Sequence, residues 1–216
     1  MLKKFFIFFL VLYIMFAASA ETITFGAYWQ LNRTEKTPLE WIVLDETDDA
    51  YLLITKYSID ASIFAHNHDY TTWANSLVRK ILNKEFYDNA FSEDEKAQIV
   101  LTKVMADSNP QYKQINQGKN TYDYVFLLSI LEAEKYFKSN NERIATATEY
   151  AKMGADLIKW VGAYTSPFGA TCWRLRTMGI NNYSSCSVRA NGSISYEGDI
   201  LYSPHYAIRP CIWIRK

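Results

Sequence analysis

The chain has 216 residues, of which 49% are hydrophobic and 16% aromatic, with 23 basic and 23 acidic side chains. This length exceeds the common domain size of about 100–150 residues but fits one domain with a sizeable core. The balanced charge excludes the strongly basic character of most nucleic-acid-binding proteins, so we expect no nucleic acid partner.

The first twenty residues have the features of a cleavable secretory signal peptide. Two lysines at 3–4 precede an uninterrupted apolar run at 5–16, and small residues at 18–20 suit a signal peptidase. The alternative is a membrane anchor, but such a run rises only about 18 Å as a helix, against roughly 30 Å of hydrocarbon. We therefore expect a secreted or periplasmic protein that has no membrane contact after cleavage and folds as a single domain over 21–216.

The first third of this domain alternates between apolar and polar residues in the manner of β-strands. Strands are predicted at 23–29, 39–45 and 51–54. A polar turn at 46–49 joins the last two, which predicts a hairpin.

The middle of the chain, 72–138, is expected to be mainly helical. Four bulky residues would lie close to one helix face: Trp73, Leu77, Ile81 and Phe86. Three Ser/Thr-x-x-Glu capping boxes predict helix starts at 92–95, at 129–132 after an apolar strand at 124–128, and at 146–149. Between them, 106–120 is polar and rich in helix breakers, which indicates a long surface loop.

The last third returns to a β pattern. Strands are predicted at 172–176, 186–190, 193–196 and 206–214, and an Asn191-Gly192 turn predicts a hairpin between the second and third. Pro210 places the last strand at a sheet edge or at a bulge. Strands at both ends with helices between them predict an α+β fold with a mixed or antiparallel sheet.

Short motifs follow one another along nearly the whole chain after residue 20. They are FGAYWQ at 25–30, LEWIVL at 39–44, RKILN at 79–83 with FY at 86–87, AFSE at 90–93, VFLLS at 125–129, WRLR at 173–176 and IRP at 208–210. In this order they resemble a bacterial family of domains of unknown function with FGxYxQ, IEWxVL, LRxWLN, VFLLS, WLRS and VRPAL motifs. The resemblance implies an architecture rather than an activity.

The C-terminal third is also similar to the C-type-lectin-like fold of formylglycine-generating enzymes. CWRLR at 172–176 and AIR at 207–209 correspond to two strands that pair in that fold, so the resemblance implies a C-type-lectin-like domain. The copper site of those enzymes needs a second cysteine where this chain has Pro167, and one thiolate does not make a two-thiolate site. The calcium motifs of sugar-binding lectins are absent too. We therefore expect no metal and no cofactor.

Three arginines lie in apolar strands, so some of them should point inward or across a site. They are Arg174, Arg176 and Arg209. A buried arginine needs a partner, because an unpaired buried charge costs several kcal/mol. Glu40 and Asp45 flank an apolar strand, and we predict a structural ion pair between Glu40 and at least one arginine, with Arg176 and Arg209 as candidates.

Histidine and cysteine residues offer weaker signals. His66, His68 and Asp69 lie in a polar stretch without a third positioned ligand, so a solvated loop is favoured over a zinc site. Cys172 or Cys186 with His205 could form a nucleophile–base pair, but no hydrolase motif surrounds them. With Cys211 these cysteines could form one disulfide in an exported protein, or serve as three small buried hydrophobes.

Aromatic residues give the clearest indication of a binding surface. Tyrosine and tryptophan beside side-chain amides suit stacking on glycans or peptides. The loops at 177–185 and 199–206 would carry this surface, with five predicted ligand-binding residues: Trp173, Arg174, Asn181, Asn182 and Tyr183.

These features favour an exported, non-catalytic recognition or structural module that binds an extracytoplasmic glycan or protein. The alternative is an enzyme related to the formylglycine-generating fold that uses Cys172 as its reactive residue. A pocket holding Cys172 with a second titratable or metal-binding group would favour the enzyme. A purely structural envelope component is the third hypothesis.

Overall fold

The computed structural model describes residues 21–66, 70–154 and 169–216. The predicted signal peptide, His68, Asp69 and Pro167 lie outside these residues. The strands are β1 (Thr22–Trp29), β2 (Lys36–Glu46), β3 (Ala50–Thr55), β4 (Asp60–Ala61), β5 (Thr102–Val104), β6 (Thr121–Asp123), β7 (Trp173–Met178), β8 (Ser184–Val188), β9 (Ile194–Ile200), β10 (Ala207–Ile208) and β11 (Cys211–Arg215).

The helices are short and lie between β4 and β7 in the chain. They are α1 (Leu77–Ile81), α2 (Tyr87–Ala90), α3 (Glu93–Gln98), α4 (Ile130–Tyr136), α5 (Asn140–Arg143) and α6 (Glu149–Gly154), with a 3₁₀ turn at Trp73–Asn75 and a π-helical turn at Leu82–Phe86. None of the helices within the described ranges has the length and apolar character needed to span a membrane.

Two main sheets contain most of the strands. The order is β1-β2-β3-β11 in a four-stranded sheet and β4-β10-β7-β8-β9 in a five-stranded sheet, and β5-β6 form a separate pair. All pairings are antiparallel except β10 with β7. The predicted α+β class and the joining of N-terminal with C-terminal strands are thus confirmed, with mostly antiparallel sheets.

The N-terminal hairpin forms as predicted, with β2 and β3 antiparallel. Trp41 anchors it to β1: its side chain is fully buried and its Nε1 donates to the Phe25 carbonyl at 2.7 Å. Gly26 sits at a bulge with φ +70°, and its N–H donates to Glu95 Oε1 at 2.9 Å. A Cβ there would lie 2.7 Å from the Ala90 carbonyl oxygen, so glycine allows the strand and helix layers to touch.

The predicted helical region differs from the structure in extent and in buried face. Helices end at Gln98 and resume at Ile130, because the chain between them forms β5, β6 and the loop at 106–120. Trp73 and Phe86 are buried as expected, but Leu77 and Ile81 are only partly buried. Val78 and Leu82 take their place in the core, because the extended Ser76 separates the 3₁₀ turn of Trp73 from α1, so Trp73 does not set the buried face of that helix.

Two of the three predicted capping boxes are confirmed, at Ser92–Glu95 and at Ser129–Glu132. The third, at 146–149, is wrong. Thr146 instead bridges Ala170, and Thr148 Oγ1 accepts the N–H of Ala151 at 3.2 Å at the start of α6. The predicted strand at 124–128 is reduced to one bridge, Phe126 with Cys211.

The C-terminal hairpin of β8 and β9 is confirmed, and Gly192 in its turn has φ +80°. The predicted strand at 206–214 breaks at Arg209 and Pro210 into β10 and β11. The break moves the chain from the five-stranded to the four-stranded sheet. Proline has no N–H to donate to a ladder, which suits a crossing between sheets.

One continuous core runs from the first strand to the last. It contains Trp41 of β2, Phe86 of the π-helical turn, Trp173 of β7 and Ile212 of β11. Both sheets and the helical layer therefore pack around the same apolar interior.

Candidate functional site

A surface cleft of about 330 Å³ opens between two segments of the helical half of the chain. One wall is the stretch leading into the 3₁₀ turn, and the other is the end of the loop at 106–120. The lining residues are Tyr70, Thr71, Thr72, Ala74, Asn75, Asn116, Gly118 and Lys119.

The first wall is held by a buried carboxylate. Asp123 of β6 accepts a hydrogen bond from Trp73 Nε1 at 3.0 Å and pairs with Arg79 Nε at 2.7 Å. Arg79 Nη1 in turn donates to the Ala74 carbonyl at 3.1 Å. Because these contacts fix Trp73 and Ala74, the adjoining Thr72 and Asn75 have defined positions.

The second wall is a loop without regular secondary structure that buried amides pin to the five-stranded sheet. Asn109 is fully buried, and its Nδ2 donates to the carbonyls of Met178 at 3.1 Å and Tyr196 at 2.8 Å. Gln117 Oε1 accepts the Met178 N–H at 2.7 Å. These bonds satisfy backbone groups that the sheet leaves unpaired where its register shifts, and they fix the position of the loop.

Asn182 joins the two walls. Its Nδ2 donates to the Asn116 carbonyl at 2.6 Å and to the Thr71 carbonyl at 3.3 Å, and its own carbonyl accepts the Thr71 N–H at 3.3 Å. Gly118 lies close to Thr72: a Cβ at Gly118 would fall 2.4 Å from Thr72 Oγ1. The base of the cleft is therefore closed by contacts that a larger side chain would break.

Two tyrosines provide aromatic surface at the cleft: Tyr70 lines it, and Tyr183 contacts Tyr70. The rings of Tyr70 and Tyr183 meet edge to face with centroids 6.3 Å apart, and they are 59% and 47% exposed. Exposed aromatic rings held by a neighbour provide stacking surface at little entropic cost.

The predicted ligand-binding residues separate into two groups. Tyr183 adjoins the cleft, and Asn181 is exposed in the same turn, where its Oδ1 accepts the Tyr183 N–H at 2.9 Å. Asn182 is buried and supports the two walls from below rather than facing a ligand. Trp173 and Arg174 are fully buried, so their predicted place on a binding surface is wrong. The predicted loops are also shorter than expected, because Thr177 and Ile200 belong to strands.

Arg174 has a structural role inside the five-stranded sheet. It donates hydrogen bonds to one hydroxyl and three backbone carbonyls: Ser185 Oγ and the oxygens of Asp199, Ile200 and Ser203. The ring of Tyr206 covers its guanidinium at 4.1 Å. Burial lowers the pKa of Arg174 to about 10, which still leaves it charged at neutral pH.

The predicted ion pair between Glu40 and an arginine is wrong. Glu40 pairs with Lys56 at 3.1 Å, because the Lys56 N–H bonds the Glu40 carbonyl across the hairpin and brings the two side chains together. Arg176 pairs instead with Glu132 and with Asp107. Arg209 has no carboxylate partner within the described residues: its Nε donates to the Thr55 carbonyl at 2.8 Å.

Arg209 contacts the rings of both Phe137 and Trp173, with its guanidinium carbon 5.5 and 5.3 Å from their centroids. The prediction that some of the arginines point inward is thus confirmed, and the structure extends it to all three, although Glu40 is not their partner. Backbone carbonyls and aromatic faces offset much of the desolvation cost.

The three cysteines are free thiols, so the open alternative of a disulfide is not realised. Cys186 and Cys211 are fully buried, and Cys172 is partly exposed. Burial raises the pKa of the Cys172 thiol, and the Asp199 carboxylate raises it further. Burial also raises the pKa of Cys186 to about 12. Both shifts oppose formation of the thiolate that a nucleophile requires.

Metal ligands do not converge anywhere in the part of the chain that the structure describes: no group of three or more His, Cys, Asp or Glu side chains is found there. Two partners of the His66 motif, His68 and Asp69, lie outside the described residues.

The cleft itself was missed in the sequence. Its walls come from segments more than forty residues apart, and buried amides of Asn109 and Gln117 hold one of them in place. The one available signal was the length of the loop at 106–120, since long loops in compact domains are usually functional.

Comparison with known proteins gives one family match. No curated protein and no solved structure matches the chain. A protein family described as "Domain of unknown function (DUF6273)" matches residues 48–216, which include β3 to β11 and the whole cleft. The chain belongs to this family of domains of unknown function.

Proposed function

We propose that the protein is an exported, non-catalytic recognition module that binds a short glycan in the cleft. The main support for this proposal is the composition of the cleft. Residues with hydroxyl and amide groups line it, together with the exposed ring of Tyr70, and the exposed ring of Tyr183 lies next to Tyr70. Sugars combine hydroxyl groups with apolar ring faces, and this lining offers a partner for each.

The lining favours a glycan over a peptide. Ala74 is the one apolar aliphatic residue among the described residues of the lining, and these residues form no pocket for the hydrophobic side chains that usually anchor peptides. No strand lines the cleft among the described residues, so strand addition to a sheet edge has no template there.

Export and a C-type-lectin-like architecture belong to this proposal. The N-terminal segment at 1–20 supports export by its charge and apolar pattern. The pairing of β10 with β7, Ala207 beside Trp173, supports the architecture, because the two corresponding strands pair in that fold. The recognition site would differ from the calcium sites of sugar-binding lectins.

The alternative enzyme hypothesis, with Cys172 as its reactive group, gains no support from the site. Burial raises the pKa of the Cys172 thiol and so disfavours the thiolate form that a reactive cysteine needs.

Binding of the purified protein to an array of neutral and acidic glycans tests the proposal. We expect binding to a defined subset, with affinity reduced at least about fivefold by Tyr70→Ala and by Tyr183→Ala, because each removes a stacking surface.

Tyr122→Ala is the matched control. Tyr122 is 62% exposed but does not line the cleft, so its loss should leave affinity unchanged. Absence of binding to every glycan, or equal loss from all three variants, would contradict the proposal.

A further inference from the structure

The cleft lies in a locally positive part of a nearly neutral protein. The two segments that form its walls, 70–80 and the loop at 106–120, contain four basic residues, Arg79, Lys80, Lys113 and Lys119, and one acidic residue, Asp107, which is neutralised by Arg176. Arg79 is neutralised by Asp123. The three lysines are exposed and form no salt bridge with any residue in the described ranges.

Two side-chain hydrogen-bond donors in the cleft have no acceptor among the described residues. Among the described residues of the lining, Lys119 is the one with a charged side chain, and its ammonium has no hydrogen-bond partner in the described parts of the chain. The side-chain amide of exposed Asn75, on the opposite wall, is likewise unbonded there. An ammonium and an amide N–H together suit an oxyanion, and charge-assisted bonds are stronger than neutral ones.

Resting on the proposed glycan-binding function, we infer that the glycan is acidic and that Lys119 and Asn75 bind its carboxylate or sulfate group. The aromatic rings of Tyr70 and Tyr183 would contact the sugar, while Lys119 selects for its charge. Lys80 and Lys113 add a general positive potential that attracts such a ligand to the cleft.

The test measures the affinity of the protein for matched pairs of neutral, uronate-bearing and sulfated oligosaccharides. We expect at least about tenfold preference for an acidic member over its neutral counterpart, decreasing with added salt. The uronate and sulfate arms distinguish the two sources of negative charge.

Two variants of the cleft sharpen the test. Lys119→Gln should remove the preference while leaving binding of the neutral sugar intact. Asn75→Asp should reverse the preference, because it places a carboxylate where the ligand's anion would lie. Lys103→Gln, which removes one exposed lysine of β5 outside both walls of the cleft, is the control and should change affinity by less than about twofold.

The outcomes separate the two proposals. Equal affinity for neutral and acidic glycans, or a preference that Lys119→Gln does not reduce, would overturn this inference and leave glycan recognition standing. Failure to bind any glycan, neutral or acidic, would overturn both.

Discussion

Arg176 illustrates how a single buried residue can connect several elements of the fold. Its guanidinium, 3% exposed, donates to the carbonyls of Met105 and Leu127 and pairs with the carboxylates of Asp107 and Glu132. Glu132 is also the glutamate of the α4 capping box. One side chain therefore connects β7, the start of the loop and the first turn of a helix.

Replacing Arg176 with methionine should lower the free energy of unfolding by about 3–5 kcal/mol. The change keeps the apolar stem but leaves two carboxylates and two carbonyls without the donor that Arg176 supplies. Removing one partner of a buried ion pair costs more stability than replacing both partners with apolar residues, because the other charge stays buried without its partner. Urea denaturation measures the effect.

Lys135→Met is the matched control for this change. It removes a pair with Asp45 in which the two side chains are 63% and 36% exposed, and we expect a cost below about 1 kcal/mol. Equal costs for both substitutions would show that the Arg176 network contributes no more than a surface pair.

Among the elements, the loop at 106–120 has an unusual means of support. It has no strand or helix of its own, and buried amides replace the missing backbone ladder. Asn109 bonds β7 and β9 at once, at a position where both of their pairings with β8 are irregular. The irregular sheet and the ordered loop thus satisfy each other's polar groups.

Asn109→Ala should release the loop. We expect faster tryptic cleavage after Lys113 and Lys119 and weaker ligand binding, with a loss of about 1–3 kcal/mol of stability from unsatisfied carbonyls. Limited proteolysis followed by mass spectrometry locates the cuts. Asn141→Ala is the control. Exposed Asn141 forms no side-chain hydrogen bond with any residue in the described ranges, so this change should leave the cleavage rate unchanged. Unchanged cleavage in Asn109→Ala would contradict the prediction, because it would mean that the Asn109 amide does not hold the loop.

At the scale of the whole molecule, the two main sheets are held together without a covalent cross-link among the described residues. The chain crosses between them at Arg209 and Pro210, and the shared core packs against both. Cohesion therefore comes from apolar burial around the crossing rather than from disulfides.

The melting temperature should be the same with and without a reducing agent. In the native protein an alkylating reagent should modify Cys172 slowly, because it is partly exposed with a raised pKa, while buried Cys186 and Cys211 react after unfolding. Mass spectrometry of alkylated native and denatured samples counts the thiols. A mass showing an intramolecular disulfide, or a clear fall in melting temperature on reduction, would contradict this arrangement.

Several elements were predictable because their signals are local. The hairpin of β2 and β3, the Asn191-Gly192 turn, the capping boxes at Ser92 and Ser129 and the loop at 106–120 each depend on a few neighbouring residues. The apolar strands also predicted that some of the three arginines would point inward, and all three are buried.

Tertiary structure alone decided the partners. Glu40 bonds Lys56, Arg176 bonds Glu132 and Asp107, and the final strand divides between two sheets, because long-range packing chooses among partners that local sequence leaves equivalent. The cleft is the clearest case. The sequence by itself determined that an amide and a tyrosine, Asn182 and Tyr183, lie in a polar turn. Only the fold placed them beside Asn116 and Tyr70, because segments distant in sequence meet there through buried hydrogen bonds.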